Sequence, residues 1–478
     1  MTTMAVEMSA SRLLAPFFGD SLFIWANLIG LILVYLTAGY YAGGRIADRW
    51  PRPRLLFFLT MISSVAIAVV PFIARPIMGM AINGIDQVNA GAFLGSFGVT
   101  VFLFAVPVTI LGTVTPFAIR LRITSVETSG NVSGGLYALS TVGSILGTFL
   151  PVLLLIPWIG TRDTMLIFAG ALATISAIGL GGYYLAAPPL IFAVLLIPPG
   201  AIKPTPGTIL EAESPYHYVQ VVDQGGTRYL KLNEGWAVHS AYNPDRQLTG
   251  GYWDYFLVAP WFGSDRPPRQ ALNIGSAAGT ICKEIIQTYP GVHVDGVELD
   301  PGIVDAGRRY FDMDDPGLTV FVEDGRPFIK TSKKSYDLIA VDAFRQPYIP
   351  FYLTTQEFFQ EVDAHLNSGG TVMINVGMVP GDTHLADAIS ATMRSVFPSV
   401  YSFPAGSFNR ELVATKKQSA VTDLAGRKNL LPPSISGLAD QVLGGLTEVQ
   451  PGGTILTDDK APVEWLTDQM IVHYAAGQ

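Results

Sequence analysis

The stretch Leu272–Asn273–Ile274–Gly275–Ser276–Ala277–Ala278–Gly279–Thr280 can cradle a nucleoside. An apolar run leads into a loop of small residues, and the loop opens a predicted helix. Glu298, in Val297–Glu298–Leu299–Asp300, ends the next predicted strand 23 positions after Gly275. Small side chains let the backbone approach a ligand, and a carboxylate so placed accepts hydrogen bonds from ribose hydroxyls. Two more acids fall at predicted strand ends: Asp324, just before Gly325, and Asp342, after Tyr336–Asp337–Leu338–Ile339–Ala340–Val341. Four such coincidences carry much more weight than the glycine loop alone.

These residues need a parallel sheet to bring them together. Strands are predicted near 270–275, 292–298, 317–322, 336–342, 370–376 and 411–415, with helices between them. That pattern predicts a mostly parallel sheet covered on both faces, with ligands beyond the C-terminal strand ends. Ahead of it, residues 208–240 alternate apolar and polar around a turn at Gly225–Gly226, which reads as short antiparallel strands.

The first 200 residues have a different texture. Residues 22–42, 54–74, 92–112, 136–157 and 164–184 are apolar stretches, each long enough to cross a hydrocarbon core of about 30 Å. A sixth run, 188–199, is short and flanked by prolines, so an interfacial or re-entrant piece is expected there. The first 20 residues hold Glu7 and Arg12; an interfacial helix or a bundle-facing ion pair is expected, not a cleavable signal peptide. Arg45, Arg49, Arg52 and Arg54 lie between the first two stretches, with Arg120 and Arg122 after the third. The positive-inside rule puts both groups in the cytoplasm. Alternation then delivers the C-terminal half to the same side, as a multi-pass protein of a bacterial inner membrane with five to seven spans.

Composition agrees with this division. Of 478 residues only 14% are charged, and the net charge of −8 argues against a nucleic-acid partner. The single cysteine, Cys282, excludes an intrachain disulfide and is expected to be a buried small hydrophobe. No metal-ligand spacing and no phosphate-binding Walker loop is present. The fold expected is an α-helical transmembrane bundle (1–200) fused to a small β lobe (201–265) and a Rossmann-like α/β domain (266–420), with a C-terminal extension (421–478) packing on it.

From about Glu213 to Val376 the chain resembles the spermidine synthases, the aminopropyltransferases, and as a whole it looks like their membrane-bound bacterial branch. Glu213–Ser214–Pro215–Tyr216 is similar to the family's E-S-x-Y strand, and Tyr252–Trp253–Asp254–Tyr255 falls at its Y-[HQ]-E. Ile274 to Thr280 covers I-G-G-G-D-G-G, and Glu323–Asp324–Gly325 covers G-D-G. The resemblance implies the fold shared with class I methyltransferases and an S-adenosyl sulfonium substrate cleaved to methylthioadenosine. It places Gly275 and Ser276 at the nucleoside, Glu298 at the ribose, and Asp324 and Gly325 at the adenine. Asp342 becomes the catalytic aspartate and Tyr252 a residue lining the site. No cofactor beyond S-adenosylmethionine, as substrate, is implied; a lipid bilayer and a second copy of the chain are the other candidate partners.

Three departures from the family pattern matter. The glycine-loop aspartate is Ala278, the second acid of D-S-S-D is Arg345, and the glutamine of the entry strand is His217. Two lost acids and an added arginine disfavour a dication, whose desolvation needs carboxylates. They suit a ligand bearing a carboxylate, which an arginine binds bidentately. The reaction expected first is therefore intramolecular: the carboxylate of S-adenosylmethionine attacks its own γ-carbon, giving homoserine lactone and methylthioadenosine. In it Asp342 would orient the substrate ammonium and Tyr252 the methionyl arm. The alternatives are aminopropyl transfer from the decarboxylated donor to a polyamine, with Asp342 accepting the proton, and a non-catalytic nucleoside sensor or transporter. Near the C-terminus, Thr457–Asp458–Asp459–Lys460–Ala461–Pro462–Val463–Glu464 is expected to form a turn closing onto the domain.

Overall fold

A computed structural model describes residues 1–18, 22–88, 91–198, 200–233, 237–345 and 347–475. Gly19, Asp20 and Pro199, at the margins of two stretches discussed above, lie outside the described residues. The chain divides into two units, Met1–Pro204 and Thr205–Gln478.

Among the described residues of the first unit, four helical segments are long and apolar enough to cross a membrane: Ile24–Arg49, Pro53–Ala81, Gly95–Arg122 and Ser129–Leu180. The shortest, at 26 residues, is about 39 Å long. The fourth, at 52 residues, is more than twice the roughly 20 residues that one crossing needs. The fourth and fifth apolar stretches run on in one helical segment, bent at Gly160, whose φ of 79° and ψ of 170° break the helix between two legs. Residues 188–198 form only a helix over Ala187–Ala193 and a 3₁₀ turn over Val194–Leu196, too short to span, as the sequence indicates. Helix Thr2–Phe18 packs Val6, Ala10 and Leu14 against Leu28, Phe104 and Met165, with Glu7 buried. Of the two expectations for this segment, the bundle-facing one describes its position.

The second unit begins with four antiparallel strands in chain order: β1 (Thr208–Glu213), β2 (Tyr218–Gln224), β3 (Thr227–Leu232) and β4 (Val238–Tyr242). Eight more form one sheet: β5 (Gln270–Ile274), β6 (His293–Glu298), β7 (Leu318–Val322), β8 (Tyr336–Val341), β9 (Leu366–Gly377), β10 (Ser399–Pro404), β11 (Asn409–Thr415) and β12 (Thr447–Glu448). Their order is β12-β10-β11-β9-β8-β5-β6-β7. Strands β5 to β9 pair in parallel, as crossover helices require. The other half departs from the sequence reading, which lacks β10 and β12. Only four residues separate β10 from β11, so the two can pair only as a hairpin, and β11 runs antiparallel to β9.

Alternate residues of the strands feed two cores. Ile274, Ile339, Val341, Val372 and Ile374 face one side; Leu338, Ala340, Met373 and Val413 face the other. This period of two fixes the register, because a one-residue slip would exchange the faces. Residues Leu424, Ile435, Ala439 and Val442 of the C-terminal stretch close over the second face. Cys282 lies within it, its thiol pushed up to about 12 by burial. That keeps it a thiol at neutral pH, in line with a packing role.

Candidate active site

The C-terminal ends of β5, β6, β7 and β8 are neighbours along one edge of the sheet, and each ends in a residue singled out above. Gly275 follows β5 with φ of +81°. A Cβ there would lie 2.5 Å from the Cα of Ala343 and 2.6 Å from the carbonyl oxygen of Asp342. The glycine loop therefore abuts the backbone that carries Asp342. The N–H groups of Gly275 and Ser276 donate to the Val297 carbonyl at 2.9 and 3.0 Å, tying the loop to β6. Ser276 is buried.

Glu298, at the end of β6, is buried and accepts from the Ala277 N–H (2.9 Å) and the Asp300 N–H (3.0 Å). Burial raises its pKa; those two N–H donors and the nearby His217 oppose the shift. His217 is held by Nδ1 at 2.9 Å from Asp300 Oδ2. The Ser214 hydroxyl also binds Asp300 and accepts from the His217 N–H at 2.8 Å. Asp300 itself caps helix Pro301–Tyr310 through Gly302. The Glu213–His217 loop is thus pinned beside Glu298.

Asp324 caps helix Gly325–Thr331 through the Arg326 N–H (2.9 Å), and its second oxygen accepts from the Tyr352 hydroxyl at 2.7 Å. Gly325 packs so closely that a Cβ would meet Ile274 Cγ2 at 2.2 Å. Next to it, Arg326 forks onto Asp458 (2.6 and 2.8 Å) and Glu361 (3.0 and 3.1 Å). The Thr457–Lys460 turn, without a mechanism in the sequence, is the clamp that seats this strand end from the C-terminal side.

Asp342 and Tyr252 come together: the Tyr252 hydroxyl donates to Asp342 Oδ2 at 3.0 Å. Tyr252 is presented by a turn built on buried Asp254, which accepts from the Thr249 and Gly250 N–H groups. Behind Asp254 lies buried Glu284, whose pKa is raised well above the ordinary range by burial and by Asp254.

Two residues of the site carry no role in the sequence reading. Asn375 on β9 donates from Nδ2 to Asp342 Oδ1 at 3.0 Å. Glu411 on β11 pairs in register with Asn375. Since Val341 is opposite Ile374, Asp342, Asn375 and Glu411 form a polar row on one face across three adjacent strands. Glu411 is fully buried, and neither carboxylate oxygen has a hydrogen-bond partner among the described residues; the same holds for Asn375 Oδ1. Burial pushes the Asp342 carboxyl up to about 6, with its bonds to Asn375 and Tyr252 opposing the shift. Glu411 is raised well above the ordinary range by burial and by Asp342. Asn375 stands out in the sequence as a polar residue inside the apolar run 372–376, whereas Glu411 follows Asn409 and Arg410 and carries no such mark.

The residues behind the first-choice reaction are Ala278 and Arg345. Ala278 is buried among Val219, Leu230, Ile303 and Phe311, with its N–H bound to Ser240 Oγ at 2.9 Å. Arg345 is exposed on a turn closed by its own backbone with Tyr348, and its charge acts on Tyr352 and Glu464. The groups at Asp342 are acidic, which suits a cation-bearing ligand.

Known proteins share the domain that carries this sheet edge. Residues 260–406 match the spermine/spermidine synthase domain family. The chain is 32% identical over 317 residues to a probable polyamine aminopropyl transferase of Bifidobacterium longum, spanning 60% of this chain and 70% of that protein. It is 33% identical over 238 residues to a polyamine aminopropyltransferase of Vibrio vulnificus, spanning 47% and 78%. Among solved structures, a probable spermidine synthase from Corynebacterium glutamicum aligns over 57% of this chain and 95% of its own, at 20% identity and a TM-score of 0.42.

Proposed function

Because this chain belongs to the spermidine synthase-like family, we propose that it transfers an alkyl group other than methyl from an S-adenosyl sulfonium donor to an amine, releasing methylthioadenosine. The observation that carries the reading is Asp342, a carboxylate oriented by Tyr252 and Asn375 and set against the glycine loop. Glu298 takes the ribose hydroxyls and Gly275 and Ser276 line the nucleoside, with Asp324 and Gly325 at the adenine. The amine nitrogen forms a bond to the carbon beside sulfur, the carbon–sulfur electron pair leaves on sulfur, and one amine proton passes to Asp342. Sulfonium is already a good leaving group, so a single proton acceptor suffices.

Transfer to an amine is better supported than cyclisation of S-adenosylmethionine. Cyclisation draws on Arg345 as the carboxylate ligand, and that side chain is exposed while the ionisable groups at Asp342 are acids. The relatives named above are aminopropyltransferases. Product analysis by mass spectrometry decides between the readings. Decarboxylated S-adenosylmethionine with a diamine is expected to give methylthioadenosine and an aminopropylated amine. Homoserine lactone from S-adenosylmethionine alone would restore cyclisation, and donor returned intact under both conditions would leave a sensor.

The apolar helices and their arginine-rich ends, with the 52-residue segment crossing twice as two legs on either side of Gly160, support a multi-pass protein of the cytoplasmic membrane with the second unit in the cytoplasm. Protease added to spheroplasts is expected to leave the residues beyond 205 intact. Cleavage there before lysis would reverse the orientation.

A further inference from the structure

We propose that Glu411 is the charge-compensating acid of the amine site: it is neutral in the free site and gives up its proton when a cationic amine is seated against Asp342. The inference rests on the amine-transfer reading. Its observations are the polar row and the burial. Strands lie about 4.8 Å apart, so the backbones of Asp342 and Glu411, two strands from each other, are about 10 Å apart, with Asn375 between them. Asn375 spends its amide N–H on Asp342 and leaves Oδ1, like both oxygens of Glu411, without a donor. These are acceptors that hydrogen-bond donors would satisfy, and an alkylammonium is donor only.

The groups facing Glu411 explain why its charge state is conditional. From β8 comes Asp342, and from the turn over Tyr252–Leu257 come Tyr252 and Tyr255, both of which feel its charge. From β9 comes Asn375, and Phe403 of β10 lies opposite it on the other side. The ionisable groups in this set are acids, and they cannot offset a second negative charge. Two nearby buried carboxyls share the cost of ionisation by keeping one proton between them. A bound ammonium removes that cost, so the one ammonium seated at Asp342 and the one proton released from Glu411 balance there. The second acid that the sequence lacks at Arg345 is thereby supplied from a strand outside the family's motif, and the site selects cationic acceptors over neutral ones.

The test is titration calorimetry of 1,4-diaminobutane into the whole protein saturated with methylthioadenosine, at pH 7, in phosphate and in Tris. The two buffers differ in protonation heat, so the comparison counts protons. Wild type is expected to release about one proton per diamine bound. Glu411→Gln is expected to release none and to bind about tenfold more weakly, with unchanged methylthioadenosine affinity as the check on folding. Equal proton release and affinity in the two proteins, or none released by wild type, would overturn the inference. A wild type that binds no diamine yet converts S-adenosylmethionine alone would instead sink the amine-transfer reading beneath it.

Discussion

Asp342→Asn is expected to lower kcat by about 10²–10⁴-fold while leaving methylthioadenosine affinity within a factor of about two. The asparagine keeps the shape of the side chain and loses both the charge and the ability to take a proton. It also sets an amide N–H₂ against the donors from Tyr252 and Asn375, so one hydrogen bond of the pair is lost. The nucleoside contacts proposed for Gly275 and Glu298 lie on other strands and should be untouched. The wild-type pH profile should show an acid limb near 6, since Asp342 is raised to about 6 and only its ionised form can accept the proton. Activity rises with pH through that value. Tyr252→Phe removes a hydrogen bond that favours the carboxylate, so the limb should move to higher pH. The stability sign is opposite to the usual one for an aspartate. A folded-state pKa above the unfolded value means the native state holds the proton that the unfolded chain has lost. Native stability therefore falls as pH rises from about 4 to about 6. Asp342→Asn should melt no lower than wild type at pH 7, which separates lost chemistry from lost fold. An Asp342→Asn protein that turns over at the wild-type rate would remove Asp342 from the reaction.

The legible parts of this fold are those in which one residue type answers one local demand. Gly275 is needed where the chain turns with positive φ against β8, and Glu298 and Asp342 end strands whose apolar alternation marks them. Sequence spacing alone places these at one sheet edge, because parallel strands align their C-terminal ends. What escaped was long-range. Glu411 is 69 positions from Asp342 and meets it only through the antiparallel pairing of β11 with β9, a register that no local pattern encodes. The clamp of Asp458 on Arg326 spans 132 positions and is equally silent. That silence misled the chemistry: with Ala278 and Arg345 standing where the family has acids, the site looked depleted of negative charge, while a replacement stood on a strand with no motif. The boundary between the fourth and fifth apolar stretches was legible too. Two apolar stretches flank Gly160, and the backbone there leaves the helical region and divides the segment into two legs.

Gly275→Ala is expected to cost about 3 kcal/mol of stability in the second unit, combining left-handed strain of about 1–2 kcal/mol with overpacking of about 1–3 kcal/mol. The contacts decide the size of the effect. The new methyl would stand 2.5 Å from Ala343 Cα, 2.6 Å from the Asp342 carbonyl oxygen and 2.7 Å from the Ala343 nitrogen. All three are backbone atoms at the end of β8, so no side-chain rotation can make room. The strand end itself must move, and the bond from the Asp342 N–H to the Ile274 carbonyl, at 2.9 Å, moves with it. A displacement of about 1 Å at a reacting group is enough to cost about 10²-fold in rate, so turnover should fall further than the melting temperature suggests. Gly381→Ala is the matched control. Gly381 also has positive φ, at 91°, but a Cβ there meets nothing within 4 Å. It should lose only the left-handed strain and keep its activity. Thermal melts and initial rates on the two variants separate conformational strain from close approach. Matching losses of rate in both would mean that the glycine loop is not what holds Asp342 in place.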